Sequence, residues 1–338
     1  MIAVIDFGSQ YTQLIVRRIR ELGYFSKLFQ PAELREIPKA AAIILSGGPR
    51  SVREEGAPDI DFEYLRSLGV PVLGICYGMQ LLTQKFGGEV SAGTTREYGP
   101  AKLRPAEGAA LFKGMSPESQ IWMSHSDTVT QRPDGCQILG TNRDGVPVAL
   151  QWDEGWFGIQ FHPEVSHSHE GMTVLRNFLE LAPDAEPFRI ESFKEELIKQ
   201  IQDEVGDREV VCGVSGGVDS TVLAALLHEA GVKLHAIFVD TGLMRKDEAA
   251  EVEDQFRELG IDLHTVHAGP RFMAALDGVG DPEQKRKIIG ELFIDIFFSA
   301  VGSHIELLAQ GTLYPDVIES PAEHRPRSRP PQPVPHPS

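Results

Sequence analysis

The chain opens on an apolar run, Ile2 to Asp6, followed by the turn Phe7-Gly8-Ser9-Gln10. Tyr11 to Leu22 then places Leu14, Ile15, Arg18, Ile19 and Leu22 at helical spacing, and Gly23 closes the segment. Strand then helix predicts a βα unit. Ala41 to Leu45 is a second buried strand, ending in Ser46-Gly47-Gly48-Pro49. Val70 to Ile75 is a third, with a helical pattern after it through Leu81, Leu82 and Phe86, closed by Gly87-Gly88. Residues 89 to 160 change character, becoming alternating and Gly-broken. Val146 to Gln151 and Trp156 to Gln160 read there as paired strands around Asp153-Glu154-Gly155. A helix from Gly171 to Leu181 closes a first domain, and Pro183 to Phe188 reads as a linker.

The second half repeats one rhythm. Helix Glu191 to Val205 leads into strand Glu209 to Val214, helix Thr221 to Glu229, strand Leu234 to Asp240, helix Lys246 to Leu259 and strand Leu263 to Val266. Strands alternating with helices predict a doubly wound parallel sheet, with ligands at the carboxyl ends of the strands. A further helix starts at Asp281-Pro282.

Composition sharpens this picture at a few points. A length of 338 residues suits two domains. The net charge of −17 argues against nonspecific nucleic-acid binding, which needs a basic face, but leaves anionic small molecules open. Three cysteines, Cys76, Cys136 and Cys212, argue for a reducing compartment rather than a disulfide scaffold. The start lacks the basic stretch of a signal peptide, and the most apolar segment, Ile288 to Val301, is interrupted by Glu291 and Asp295. A cytoplasmic protein without membrane or nucleic-acid partners is expected.

The candidate chemistry centres on Gly74-Ile75-Cys76-Tyr77-Gly78. Gly-x-Cys-x-Gly between a strand and a helix has the layout of a nucleophile elbow carrying cysteine. The glycines let two backbones approach closely, and the helix N-terminus favours a thiolate. The competing reading is a buried cysteine in a Gly-rich turn. His162 and Glu164 in Phe161-His162-Pro163-Glu164-Val165 stand two residues apart, so extended backbone would put both on one side. A carboxylate could then orient the imidazole that takes the Cys76 proton. Ser124-His125-Ser126-Asp127 is densely polar, while His167 and His169 read as structural. Ser46-Gly47-Gly48 could aim N–H groups at an oxyanion, although a plain turn is the ordinary reading.

In the second half, Ser215-Gly216-Gly217-Val218-Asp219-Ser220 sits between a strand and a helix. Such a loop makes an anion nest, and without Gly-Lys-Ser/Thr it is not a Walker A loop. Asp219 could hold Mg²⁺. Lys285-Arg286-Lys287 is either an anion clamp or a solvated helix turn.

The Cys76 and His162 motifs resemble the class I (triad) glutamine amidotransferases, and Ser215 to Ser220 resembles the loop of the ATP pyrophosphatase (N-type) family. The two in this order resemble the glutamine-hydrolysing GMP synthase family. Phe238 to Arg245, Pro282 to Gly290 and Gln310 to Ser320 carry the same likeness. The resemblance implies an α/β chain of two doubly wound domains. The first, at 1–183, is amidotransferase-like; a linker follows at 184–190; the second, at 191–320, is an incomplete domain like the adenine nucleotide α-hydrolases. It implies a Cys76, His162 and Glu164 triad, an oxyanion hole from Gly48 and Tyr77, and glutamine held by Gln80, Ser124, His125 and Asp127. The family's Ser-His-Gly-Asp reads Ser-His-Ser-Asp here, with Ser126 in the third place. It also implies ATP on Ser215, Gly216, Gly217, Val218, Asp219, Ser220 and Asp240, Mg²⁺ on Asp219, and a contact from Arg286 to xanthosine monophosphate (XMP).

After Ser320 the likeness stops. Residues 321–338 are dense in proline without apolar period, so a disordered tail is expected, and the abrupt change reads as a frameshifted or truncated frame. The region through which this family forms homodimers and completes its XMP site would then be absent. Two alternatives accompany this reading: a catalytically silent fragment that binds nucleotide or a partner, and another amidotransferase-coupled ATP pyrophosphatase, such as an NAD synthetase.

Overall fold

In the computed structural model the described residues are 1–37, 39–301 and 305–311, and for 94–96 the backbone alone. The expected features at 312–320 and the tail at 321–338 lie outside the described residues. The chain divides into two compact units, Met1–Arg189 and Ile190–Ser338.

The first unit is built on one sheet. Its strands are β1 (Ile2–Ile5), β2 (Ser26–Phe29), β3 (Ala42–Leu45), β4 (Val72–Ile75), β5 (Glu89–Pro105), β6 (Ser119–Gln131), β7 (Gln137–Thr141), β8 (Pro147–Asp153) and β9 (Trp156–Ile159). They lie in the order β2-β1-β3-β4-β9-β8-β7-β5-β6. From β2 to β9 every pairing is parallel. β1, β3, β4 and β9 are buried along their whole length, as strands covered on both faces must be. One face packs against α1 (Thr12–Glu21) and α4 (Gly171–Leu179) through Ile15, Ile19, Val174 and Phe178. The other packs against α2 (Phe62–Ser67) and α3 (Tyr77–Lys85) through Leu65, Tyr77, Leu81 and Leu82. This half is doubly wound, as expected.

Beyond β9 the sheet turns antiparallel, through β8, β7, β5 and β6. The cause is visible in β6, whose positions alternate between buried and more exposed over most of its length. Within the segment read as a linker, Phe25 N–H donates to the Glu186 carbonyl and Phe188 N–H to the Gly23 carbonyl, both at 2.8 Å. The Arg20 guanidinium also lies over the Phe188 ring.

In the second unit, α5 (Ile190–Val205) precedes a wholly parallel sheet of β10 (Glu209–Val214), β11 (Lys233–Asp240), β12 (Leu263–His267) and β13 (Leu307–Ala309), in the order β12-β11-β10-β13. Helices α6 (Val218–Glu229) and α7 (Glu248–Glu258) cover one face through Ala224, Leu227, Val252 and Phe256. Helices α8 (Gly269–Leu276) and α9 (Pro282–Ala300) cover the other through Phe272, Ile296 and Phe297. The strand order reverses at β10, so a ligand crevice belongs at the carboxyl end of β10. Among the described residues no helix is long and apolar enough to cross a membrane.

Candidate functional site

Cys76 caps α3 with φ 52° and ψ −102°, one of two non-glycine residues with positive φ among those described. Such a backbone costs on the order of 1–3 kcal/mol and persists where its surroundings enforce it. Here they do. Cys76 N–H donates to the Ile159 carbonyl of β9 at 2.8 Å, and Gly78 N–H donates to the Ser46 carbonyl at 3.1 Å. A Cβ on Gly74 would lie 2.6 Å from backbone atoms of Gly78 and Met79. One on Gly78 would run into the Leu45 carbonyl. Both glycines are therefore demanded by packing, and together they present the thiol at the carboxyl end of a central strand.

His162 and Glu164 meet that thiol. The His162 ring lies close enough to Cys76 for the thiol to raise its pKa. Its Nδ1 lies 2.6 Å from Glu164 Oε1, with both side chains almost fully buried. The backbone there is not the extended run the spacing suggested: β9 ends at Ile159 and residues 163–164 form a turn. The pairing comes from the turn, held by His162 N–H to the Trp122 carbonyl at 3.0 Å and by Arg18 Nε to the Glu164 carbonyl at 3.0 Å. Burial opposes protonation of His162. The charge and hydrogen bond of Glu164, with the contribution of Cys76, outweigh it and hold the ring's pKa well above the usual histidine value.

The sign of the coupling gives a test. Because the folded pKa is raised, the stabilisation is fully present below the unfolded pKa of about 6.5 and disappears as pH rises through the folded value. Replacing Glu164 by Gln should lower the His162 pKa, read from its Cε1–H resonance against pH. An unchanged titration would remove Glu164 from the role of imidazole partner.

The loop after β3 closes over the same place. A Cβ on Gly47 would stand 3.0 Å from His162 Cε1, and one on Gly48 would stand 3.2 Å from Tyr77 Cγ. Gly48 and Tyr77, far apart in sequence, are thus neighbours beside the elbow. Gln80 is buried, and its Nε2 donates to the Asp127 carbonyl at 3.0 Å and to Gln160 Oε1 at 3.2 Å. The Ser124 carbonyl lies 3.7 Å from Cys76 Sγ. His125 Nδ1 is 2.9 Å from the Asp127 carbonyl, and burial lowers the pKa of this ring against the opposing charge of Glu97. His125 Nε2 is 3.4 Å from Glu97 Oε2, but the geometry is not that of a hydrogen bond.

Several residues of the site went unrecognised in the sequence. Gln160 Nε2 lies 3.6 Å from Cys76 Sγ, and its position two before His162 was the available signal. The Tyr11 ring packs edge-on against His162 at 5.2 Å. Ser51 and Arg53 both donate to the Asp127 carboxylate. His167 packs against Trp122 instead of joining the site.

In the second unit the Ser215 to Ser220 loop lies where β10 ends. Helix α6 begins at Val218, three residues earlier than expected, so Val218, Asp219 and Ser220 make its first turn and Gly217 caps it. Ser220 Oγ receives the Ser215 N–H at 3.1 Å, and Ser215 Oγ receives the Gly217 N–H at 3.3 Å. Gly216 has φ +80°, and a Cβ there would stand 2.8 Å from Val252. Asp240 ends the neighbouring strand, its carboxylate accepting from Gly242 N–H at 2.9 Å and facing His267 Nδ1 at 3.4 Å. Arg286 lies exposed on α9, paired with Glu283 at 2.9 Å. No group of three or more His, Cys, Asp or Glu among the described residues is arranged to hold a metal ion.

The sequence pattern of the family described as Glutamine amidotransferase class-I matches residues 3–182, more than half of the chain. The chain belongs to that family. The chain also matches the PP-loop domain over residues 190–271. It is 49% identical over 332 residues to the glutamine-hydrolyzing GMP synthase of Nitratidesulfovibrio vulgaris (strain DP4), covering 94% of this chain and 64% of that one. It is 47% identical over 336 residues to the same-named protein of Thermosipho africanus, covering 96% and 65%. With a Thermus thermophilus protein of that name the figures are 49% over 330 residues, 96% and 65%. The chain thus spans just under two thirds of the length of these curated relatives.

Proposed function

We propose that the first unit hydrolyses glutamine and that the ammonia serves an ATP-driven amination of XMP to GMP. The observation that supports this best is the Cys76, His162 and Glu164 constellation at a strand-to-helix elbow, in one chain with a PP-loop unit. His162 takes the Cys76 proton as sulfur attacks the side-chain carbonyl carbon of glutamine. The oxyanion is met by the N–H groups of Gly48 and Tyr77. When the carbon–nitrogen bond breaks, His162 returns its proton to the leaving nitrogen and ammonia departs, leaving a γ-glutamyl thioester. Water then attacks, His162 takes its proton, and glutamate and free thiol result. Gln80, Ser124, His125 and Asp127 form the wall on which glutamine rests, with Gln80 serving chiefly to brace Asp127 and Gln160.

In the second unit, the Ser215 to Ser220 loop meets the phosphates of ATP through the N–H groups of the first α6 turn, Val218 to Ser220, and the α6 dipole, while Ser215 and Gly217 N–H groups hold the loop's own shape. Mg²⁺ is ordinarily held by one or two carboxylates together with substrate phosphates, and Asp219 is a fitting single carboxylate for that arrangement. Adenylation of the XMP O2 releases pyrophosphate, and ammonia displaces AMP. Asp240 faces the same crevice, and Arg286 is the candidate contact to XMP.

The test is GMP formation from XMP, ATP and Mg²⁺, with either ammonium or glutamine as nitrogen source and with AMP and pyrophosphate followed alongside. GMP from both sources is expected. Glutamine hydrolysis without GMP from ammonium would confine the chain's activity to its first unit. Absence of both reactions would overturn the whole reading.

A further inference from the structure

Asp127 is 5% exposed, yet both of its carboxylate oxygens are taken up by the segment that follows Gly48. Ser51 Oγ donates to Oδ2, and Arg53 Nη2 donates to Oδ1 at 3.1 Å. Its backbone carbonyl is engaged too, by Gln80 of α3 and by the His125 ring. Residues 49–58 are stiffened from within, because the Arg50 guanidinium bonds Glu54 Oε2 at 2.9 Å, the Gly56 carbonyl at 2.6 Å and the Glu55 carbonyl at 3.0 Å. At their far end the Tyr77 hydroxyl donates to the Pro58 carbonyl. The segment is thus a strap, held to β6 near its start and to the elbow helix at its end.

We infer that Asp127 is a positioning residue: through Ser51 and Arg53 it clasps the 49–58 strap so that Gly48 N–H stays aimed at the developing oxyanion beside Cys76. This rests on the glutaminase reading and deepens it. A carboxylate that met the glutamine ammonium alone would not need two partners from one loop. A buried charge, moreover, is tolerated only when its oxygens are satisfied. Arg53 reaches Asp127 from a largely solvated position, with 42% of its side chain exposed, so it can be removed without opening the core.

The experiment compares Ser51→Ala, Arg53→Ala, Arg53→Lys and Asp127→Ala in the full chain, by glutamine hydrolysis and by backbone hydrogen exchange of residues 49–58. In Ser51→Ala and Arg53→Ala, which leave the glutamine wall intact, a displaced oxyanion donor should lower kcat by about ten- to a hundredfold with KM for glutamine changed by no more than about twofold. Arg53→Lys should recover most of the rate. Arg53→Ala and Asp127→Ala combined should cost little more than Asp127→Ala alone. Exchange over 49–58 should quicken in each Ala variant. A large rise in KM confined to Asp127→Ala, with Ser51→Ala and Arg53→Ala both silent, would overturn the clasp in favour of direct substrate contact. If the unmodified chain hydrolyses no glutamine, the glutaminase reading fails and exchange decides alone: faster exchange upholds the clasp, unchanged exchange removes it.

Discussion

Cys76→Ala should remove glutamine hydrolysis by a factor of about 10⁴ or more, the scale on which loss of a covalent nucleophile is felt. The thiol has no substitute nearby, because Ser124 presents its carbonyl to the site and Gln160 and His162 cannot form the thioester. The side chain removed is small, so the fold should hold. Cys136, half-buried and outside this site, supplies the control: Cys136→Ala should leave glutamate release unchanged. The assay is glutamate release with both variants at matched concentration. A Cys76→Ala protein that keeps its rate would end the covalent mechanism.

Gly78→Ala should be among the most damaging single methyl groups in the first unit. The added carbon would press on the Leu45 carbonyl, stand 2.7 Å from Leu45 Cβ, and push α3 away from β3. Neither neighbour is the free end of a flexible side chain. Overpacking against fixed backbone costs on the order of 3 kcal/mol, which in a unit of this size lowers Tm by roughly 10 °C. Gly56→Ala is the comparison: its φ of +68° is unfavourable for alanine, but nothing lies within 4 Å, so about 1–2 kcal/mol is expected. Equal losses in the two variants would mean that backbone conformation, not close approach, makes Gly78 necessary.

The parts of the site legible in the sequence were those whose logic is local. Gly74 and Gly78 flank Cys76 within one turn, so a strand, a glycine pair and a helix start sufficed to mark the elbow. His162 and Glu164 were legible as a pair, although a turn and not a strand joins them. The strand-loop-helix layout around Ser215 to Ser220 was legible too, but Gly217 caps α6 earlier than the apolar pattern suggested, because Val218 and Val222 are exposed and break the stripe. What stayed hidden depends on chain separated by long loops. Arg53 and Asp127 are 74 positions apart and nothing in either neighbourhood points to the other. The short β13 pairs with β10 across nearly a hundred residues and is only three residues long, below what periodicity can mark. The antiparallel extension was visible as alternation in β6 but not as a continuation of the same sheet, since register between distant strands is set by packing.

The placement of β4 between β3 and β9 bears on how the protein comes into being. A nascent chain that has exposed Cys76 still lacks the strand whose Ile159 carbonyl receives the Cys76 N–H, and lacks both His162 and Glu164. Ribosomes add about 5–20 residues per second, so the 88 positions from 76 to 164 separate nucleophile from base by roughly 4–18 s. Through that interval the thiol belongs to an unfinished sheet edge and has no imidazole beside it. The proposed amide-cleaving site is therefore completed only about half-way along this chain, when β9 and the turn after it arrive.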